Sequence, residues 1–172
     1  MIDPKDALSL GAEVAVALTG FTGIVAVFGS GAVHEWDEAD RFRLRLLLVS
    51  SMSPLAMSLI GLLLLSTDLE AGAIWRTCSA IAVVGFIFSA VYNTRTFRSI
   101  GIVKINAVPG SNLVFLWSSI ASIAVGLLQM ANILVLAAFW PFFTDIVFLM
   151  LLALLQFARL VLLRPSHSTG SQ

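Results

Sequence analysis

Five apolar runs, each long enough to cross a bilayer, alternate with short polar breaks along the chain: residues 7–29, 46–65, 73–92, 113–135 and 142–163. A helix rises 1.5 Å per residue, so about 20 apolar residues span a hydrocarbon core of roughly 30 Å. The pattern therefore predicts an all-α, polytopic membrane helical bundle with five transmembrane helices. It forms one domain, residues 1–165, followed by a flexible tail, 166–172.

The breaks between the runs carry their own chemistry. Asp3 followed by Pro4 reads as a helix cap with proline at the first helical position, and the segment behind it reads as a retained span rather than a cleaved leader. The first connector, residues 30–45, leads through Asp37, a candidate cap, into a helix that continues straight into the second span. It ends in Arg41, Arg43 and Arg45, a set suited to anionic lipid headgroups. Pro54 falls near the middle of the second span and withdraws an N–H from the Ser50 carbonyl, so a kink is expected there, with Ser50, Ser51 and Ser53 offering compensating hydroxyls. Residues 66–72 form a polar turn. The longest connector, 93–111, mixes Arg95, Arg98 and Lys104 with isoleucines and is expected to rest on the membrane surface. Residues 136–140 are too apolar for a solvated loop and read as a tight interfacial turn, with Pro141 restarting the helix.

Small residues mark where helices approach closely in lipid. Gly11, Ala15, Thr19 and Gly23 recur every fourth residue on the first helix and predict a docking seam, while Glu13, Ala17 and Gly20 occupy another face. Cys78, Ala82, Gly85 and Ser89 form a similar row on the third span, and Ser118, Ser122 and Gly126 on the fourth. On the fifth, Asp145, Leu149, Leu152, Gln156 and Arg159 share a face that is expected to point inward.

Composition places the chain in lipid: 59% of its 172 residues are hydrophobic and only 12% are charged. The formal net charge is zero, so charge points to no nucleic-acid partner. Cys78 is the only cysteine, which excludes an internal disulfide or a thiolate metal cluster. Five spans bring Arg41, Arg43, Arg45, Arg95, Arg98, Lys104, Arg159 and Arg164 to one side and leave Lys5 and Arg76 on the other. By the positive-inside rule the crowded side is cytoplasmic, with the N-terminus outside and the C-terminus inside. Trp75 and Trp140 fall near the outer interface, and Trp36 and Trp117 near the inner.

That topology sets Glu13, Arg76 and Asp145 at similar depths, roughly 6 to 9 Å below the outer helix ends, with Gln129 and Asn132 approaching from the fourth helix. Ionisable groups inside a bilayer mark pathways or paired contacts. The expectation is a polar cluster of these five residues lining a vestibule or relay for an ion, a proton or a small polar solute. The alternative is a Glu13–Arg76 ion pair that only fixes helix register. His34 and His167 lie outside the spans, as do Lys5 and Lys104, so neither histidine-ligated haem nor a retinal Schiff base is expected. His34, Glu35, Asp37 and Glu38 read as a hydrated loop rather than a metal site. No cofactor, metal or catalytic motif is expected.

The pattern Glu13-x-x-Val16 through Gly20-Phe21-x-Gly23-Ile24-Val25, followed by Trp36-x-x-Ala39-Asp40-Arg41-Phe42-Arg43, resembles small uncharacterised bacterial membrane proteins. The resemblance covers about the first quarter of the chain and implies a bacterial inner membrane but no activity. Two functions are carried forward: an oligomeric channel or transporter-like protein, and a non-catalytic structural or accessory subunit of a larger membrane complex. Membrane lipids and either further copies or other subunits are the expected partners.

Overall fold

The computed structural model describes residues 3–28, 38–100 and 111–162. These form five helices: α1 (Pro4–Phe28), α2 (Glu38–Leu65), α3 (Ala71–Ile100), α4 (Ser111–Ala131) and α5 (Phe139–Leu162), with a π-helical turn, Asn132–Leu136, between the last two. All five contain a stretch long and apolar enough to cross a membrane. The predicted class, an all-helical protein with five membrane-spanning helices, is therefore present, and no strand occurs among the described residues.

Helix ends follow the local chemistry. Asp3 caps α1, its carboxylate accepting the Lys5 N–H at 2.9 Å and its carbonyl accepting the Ala7 N–H at 3.0 Å. The end of α2 is closed by hydroxyls: Ser66 donates to the Leu63 carbonyl at 2.7 Å and Thr67 to that of Leu64 at 2.6 Å. Pro54 does not interrupt α2, which runs unbroken from Glu38 to Leu65. Ser50 and Ser51 donate one turn upstream, to the carbonyls of Leu46, Leu47 and Leu48, rather than to the carbonyl that the proline frees. Helix α3 continues eight residues past the expected end of its span, to Ile100. Asn93 to Ile100 are thus helical, and only 101–110 of the expected surface connector lie outside the described residues, as do Asp37, Trp36, both histidines and the tail.

In the packing, α2 and α5 lie side by side. Helix α1 covers one flank of this pair, α3 covers the other, and α4 packs on α3 and α5. Helices α1, α3 and α5 all begin at one end of the bundle, called the upper end. Rungs of contact fix the levels. A methyl built on Gly61 would lie 2.8 Å from Leu8 Cδ1 and 3.3 Å from the Phe142 ring, and one built on Gly11 would lie 3.1 Å from Ser58 Oγ and 3.7 Å from Ile146. At the upper end Trp75 stacks obliquely on Phe139 and Phe142, with ring centroids 4.9 and 6.2 Å away. Trp75 therefore sits near the upper end, and its ring is part of the core. At the lower end Arg45 lies over the Tyr92 ring, 3.6 Å from its centroid, and donates a hydrogen bond to its hydroxyl, which ties α2 to α3. Arg41, Arg43, Arg45, Arg95, Arg98 and Arg159 all stand on lower-end turns, while Lys5 and Arg76 stand on upper ones.

Two face assignments change. The buried line of α1 is Leu8, Gly11, Ala15 and Thr22, with half-buried Leu18 between them, so the spacing is three, four, three, four. A strict step of four advances about 40° per step, so the row from Gly11 has turned about 120° by Gly23. Gly23 is accordingly exposed, with nothing within 4 Å of its would-be methyl, and Thr19 is half-buried. The docking seam is real through Gly11 and Ala15 and then passes to Thr22. On α5 the inward line is Phe142, Ile146, Met150 and Ala153. The stripe from Asp145 to Arg159 lies beside it, half-buried rather than central.

Candidate functional site

The polar residues expected to gather in one cluster separate into an interior group and an outward group. The interior group is a saturated hydrogen-bond network between α3 and the α4–α5 hairpin. Ser79 donates to Gln129 Oε1 at 2.7 Å and accepts from Asn132 Nδ2 at 2.7 Å. Gln129 Nε2 donates to the Pro141 carbonyl at 2.7 Å. Asn132 Nδ2 also donates to the Ala138 carbonyl at 3.1 Å, and its Oδ1 accepts the Ala138 N–H at 2.9 Å. All three side chains are buried, and each amide is oriented by its neighbours.

This network explains the reversal between α4 and α5. The chain leaves α4 through one wide π turn and then passes through Ala137, whose φ of 48° is left-handed and unusual for a residue with a side chain. The Asn132 carbonyl accepts the Ala137 N–H at 3.0 Å, and its side chain holds both backbone groups of Ala138. An asparagine at this point supplies, from one residue, the partners that water would give a solvated turn. Gln129 and Asn132 were anticipated as polar and close to this level, whereas Ser79 was not. It lies beside Cys78 in a row of small residues, where a hydroxyl reads as packing, and its only sequence signal is its level opposite the two amides.

The outward group is Glu13 and Arg76. Glu13 is exposed on the face of α1 that points away from the bundle, among exposed Leu10, Val16, Ala17, Gly20, Phe21 and Ile24. Counting at 100° per residue, Ala17, Gly20 and Ile24 all lie within about 40° of Glu13 around the helix. Because α1 begins at Pro4, Glu13 is nine residues along it, roughly 13 Å from its start and near mid-span, deeper than the sequence suggested. Arg76 is exposed on α3. The contacts of Trp75 with Phe142, and of Phe142 with Leu8 across Gly61, set Arg76 about four residues, roughly 6 Å, nearer the upper end than Glu13. Helices α1 and α3 flank opposite sides of the α2–α5 pair. Neither Glu13 nor Arg76 has a hydrogen bond or ion pair among the described residues. Within one chain they do not meet, so the intrachain ion pair is not formed.

Asp145 is half-buried on α5, one residue before Ile146, which faces Gly11. Ser58, in the same α1–α2–α5 junction, is the one buried side chain among the described residues whose polar atom has no partner. No group of three or more histidine, cysteine or acidic residues able to hold a metal occurs among the described residues.

Fold and site together define a multi-pass α-helical membrane protein in which Ser79, Gln129 and Asn132 satisfy one another in the interior, Ser58 is buried without a partner, and a mid-span carboxylate faces outward. Compared with protein-family models, curated proteins and solved structures, the chain matches none.

Proposed function

We propose that this chain is the repeating subunit of a small channel or transporter-like assembly that passes an ion, a proton or a small polar solute along the boundaries between copies. One observation carries the reading: the Glu13 carboxyl is exposed at mid-span on an outward face. An ionised group at the bilayer centre costs about 2.5 to 3.5 kcal/mol on insertion scales, and such groups face a protein partner or a hydrated cavity rather than lipid. Inside a single bundle Ser79, Gln129 and Asn132 are engaged by one another and by backbone, and the unpartnered Ser58 hydroxyl and half-buried Asp145 stand apart from them at the α1–α2–α5 junction. A polar route between subunits uses Glu13 where it stands.

The membrane in this reading is the bacterial inner membrane, with the lower end cytoplasmic. Support for this side comes from the six arginines on lower-end turns against Lys5 and Arg76 above. Arg41 is exposed at that end and suits anionic headgroups, whereas the Arg45 guanidinium is already engaged by Tyr92. The non-catalytic accessory subunit is the second reading. The same outward face favours it, because Ala17 and Gly20 beside Glu13 admit a close foreign helix.

The test is flux of protons and alkali cations into liposomes holding purified protein, wild type against Glu13→Gln, with both first shown to be equally assembled. Flux in the wild type that falls at least tenfold in Glu13→Gln supports transport past this carboxyl. Absence of flux in equally well-assembled samples removes the transport reading, and a stoichiometric foreign subunit in native purifications replaces it with the second.

A further inference from the structure

Glu13 and Arg76 are opposite charges, both exposed within membrane-spanning helices, both without a partner among the described residues, and on opposite flanks of the bundle. We propose that the outward face of α1 docks against α3 of a second copy, with Glu13 of one chain paired to Arg76 of the next. This rests on the subunit reading above and names the contact that builds the assembly.

Three features fit the contact. Charge complementarity comes first, because pairing removes two uncompensated charges from lipid at once. The surface around Glu13 is shaped for a helix: Ala17 and Gly20 flank the carboxylate on its own face, and nothing stands within 4 Å of a methyl built on Gly20. A backbone can therefore approach closely there. Level is the third. Copies related by an axis along the membrane normal keep their heights, so Arg76 of the second copy lies roughly 6 Å nearer the upper end than Glu13. Side chains on a helix tilt toward its N-terminus, which raises both groups alike because α1 and α3 both begin at the upper end, so the offset is spanned by the long arginine stem turned back along apolar surface toward Glu13.

The symmetry follows from placement. A patch on α1 meeting a different patch on α3, on the other side of the bundle, is a heterologous contact. Such a contact repeats around a closed ring, with one Glu13–Arg76 pair at every boundary, and a two-fold dimer does not form it. Each copy then presents its small-residue α1 face to a neighbour, while the saturated Ser79–Gln129–Asn132 network stays within the subunit.

Site-directed cross-linking of the full chain in native membranes tests this, with Glu13→Cys and Arg76→Cys copies carrying different tags and co-expressed. Native Cys78 is buried and remains in place. The expected product joins the two differently tagged chains at a yield at least tenfold above that of Glu13→Cys with Gly85→Cys, because Gly85 is about 180° around α3 from Arg76. A yield equal to that control, self-linking of Glu13→Cys alone, or a link only to a foreign protein overturns the proposal. Charge reversal keeps the test independent of one variant's folding: Glu13→Arg and Arg76→Glu each lower the oligomeric fraction, and the double variant restores it. No restoration in a double variant whose helicity matches wild type also overturns it. The outcome is separate from flux, since a ring that forms through this pair without conducting removes only the transport reading.

Discussion

Glu13 and Ala15 are two residues apart on α1 and face opposite ways: Ala15 is completely buried against the bundle, while Glu13 is exposed on the far side. Two residues turn a helix by about 200°, so a helix that buries Ala15 must turn Glu13 outward. The carboxylate thus belongs to the surface that neighbouring molecules meet.

Within the subunit, the hydrogen bonds around Asn132 are expected to hold the α4–α5 hairpin to α3. Asn132→Ala and Ser79→Ala each remove a buried partner and leave amide or hydroxyl groups unsatisfied, at about 1 to 3 kcal/mol. Because the two side chains share a bond, the double variant should lose clearly less than the sum of the singles. Unfolding of the four proteins in mixed micelles checks this, and strict additivity would mean that the bond contributes nothing.

Ala137 provides a test of opposite sign. Its left-handed backbone costs roughly 1 to 2 kcal/mol that glycine does not incur. Ala137→Gly should therefore raise the unfolding midpoint or leave it unchanged, and a large loss would show that Asn132 does not hold this turn as described.

At the α1–α2–α5 junction, Ser58→Ala removes a buried hydroxyl that has no partner and should be neutral or stabilising by up to about 1 kcal/mol. Gly11→Val forces side-chain atoms toward Ser58 Oγ, which stands 3.1 Å from the position of a Cβ alone. Overpacking of this kind typically costs about 1 to 3 kcal/mol. Paired unfolding curves read both effects, and equal behaviour of the two variants would contradict the packing described.

The glycines of α2 and α3 should separate in the same way. Gly61→Leu collides with fully buried Leu8 and Phe142 and should destabilise by at least about 2 kcal/mol, whereas Gly85→Leu extends into open space and gains helix propensity of up to about 1 kcal/mol. Thermal unfolding in one detergent ranks them, and a tolerated Gly61→Leu would disprove the close approach of α1 and α5 to α2.

Much of the fold is legible in the sequence because length and punctuation survive in lipid. Asp3-Pro4 marks the start of α1 and Ser66-Thr67 closes α2 by chemistry that needs no tertiary context. Facing is far less legible. In water an apolar stripe points inward, but in a bilayer the outer surface is apolar too, so Leu8 and Leu10 read alike although one is buried and the other exposed. For this reason the step-of-four row on α1 reads as one seam although the buried line leaves it after Ala15, and the Asp145 stripe reads as inward although it is half-buried beside Phe142, Ile146 and Ala153. Gln129 and Asn132 were recognisable because amides in a span need partners. Ser79 was not, because a serine among small residues is indistinguishable from packing until the helices are assembled.

The central claim is that the mid-span carboxylate faces outward because the subunit works in an assembly of its own copies. Counting photobleaching steps of singly labelled chains in native-membrane nanodiscs tests this most directly. The account predicts a uniform stoichiometry of three or more copies, reduced to predominantly single copies in Glu13→Arg. Single copies throughout in the wild type would contradict it.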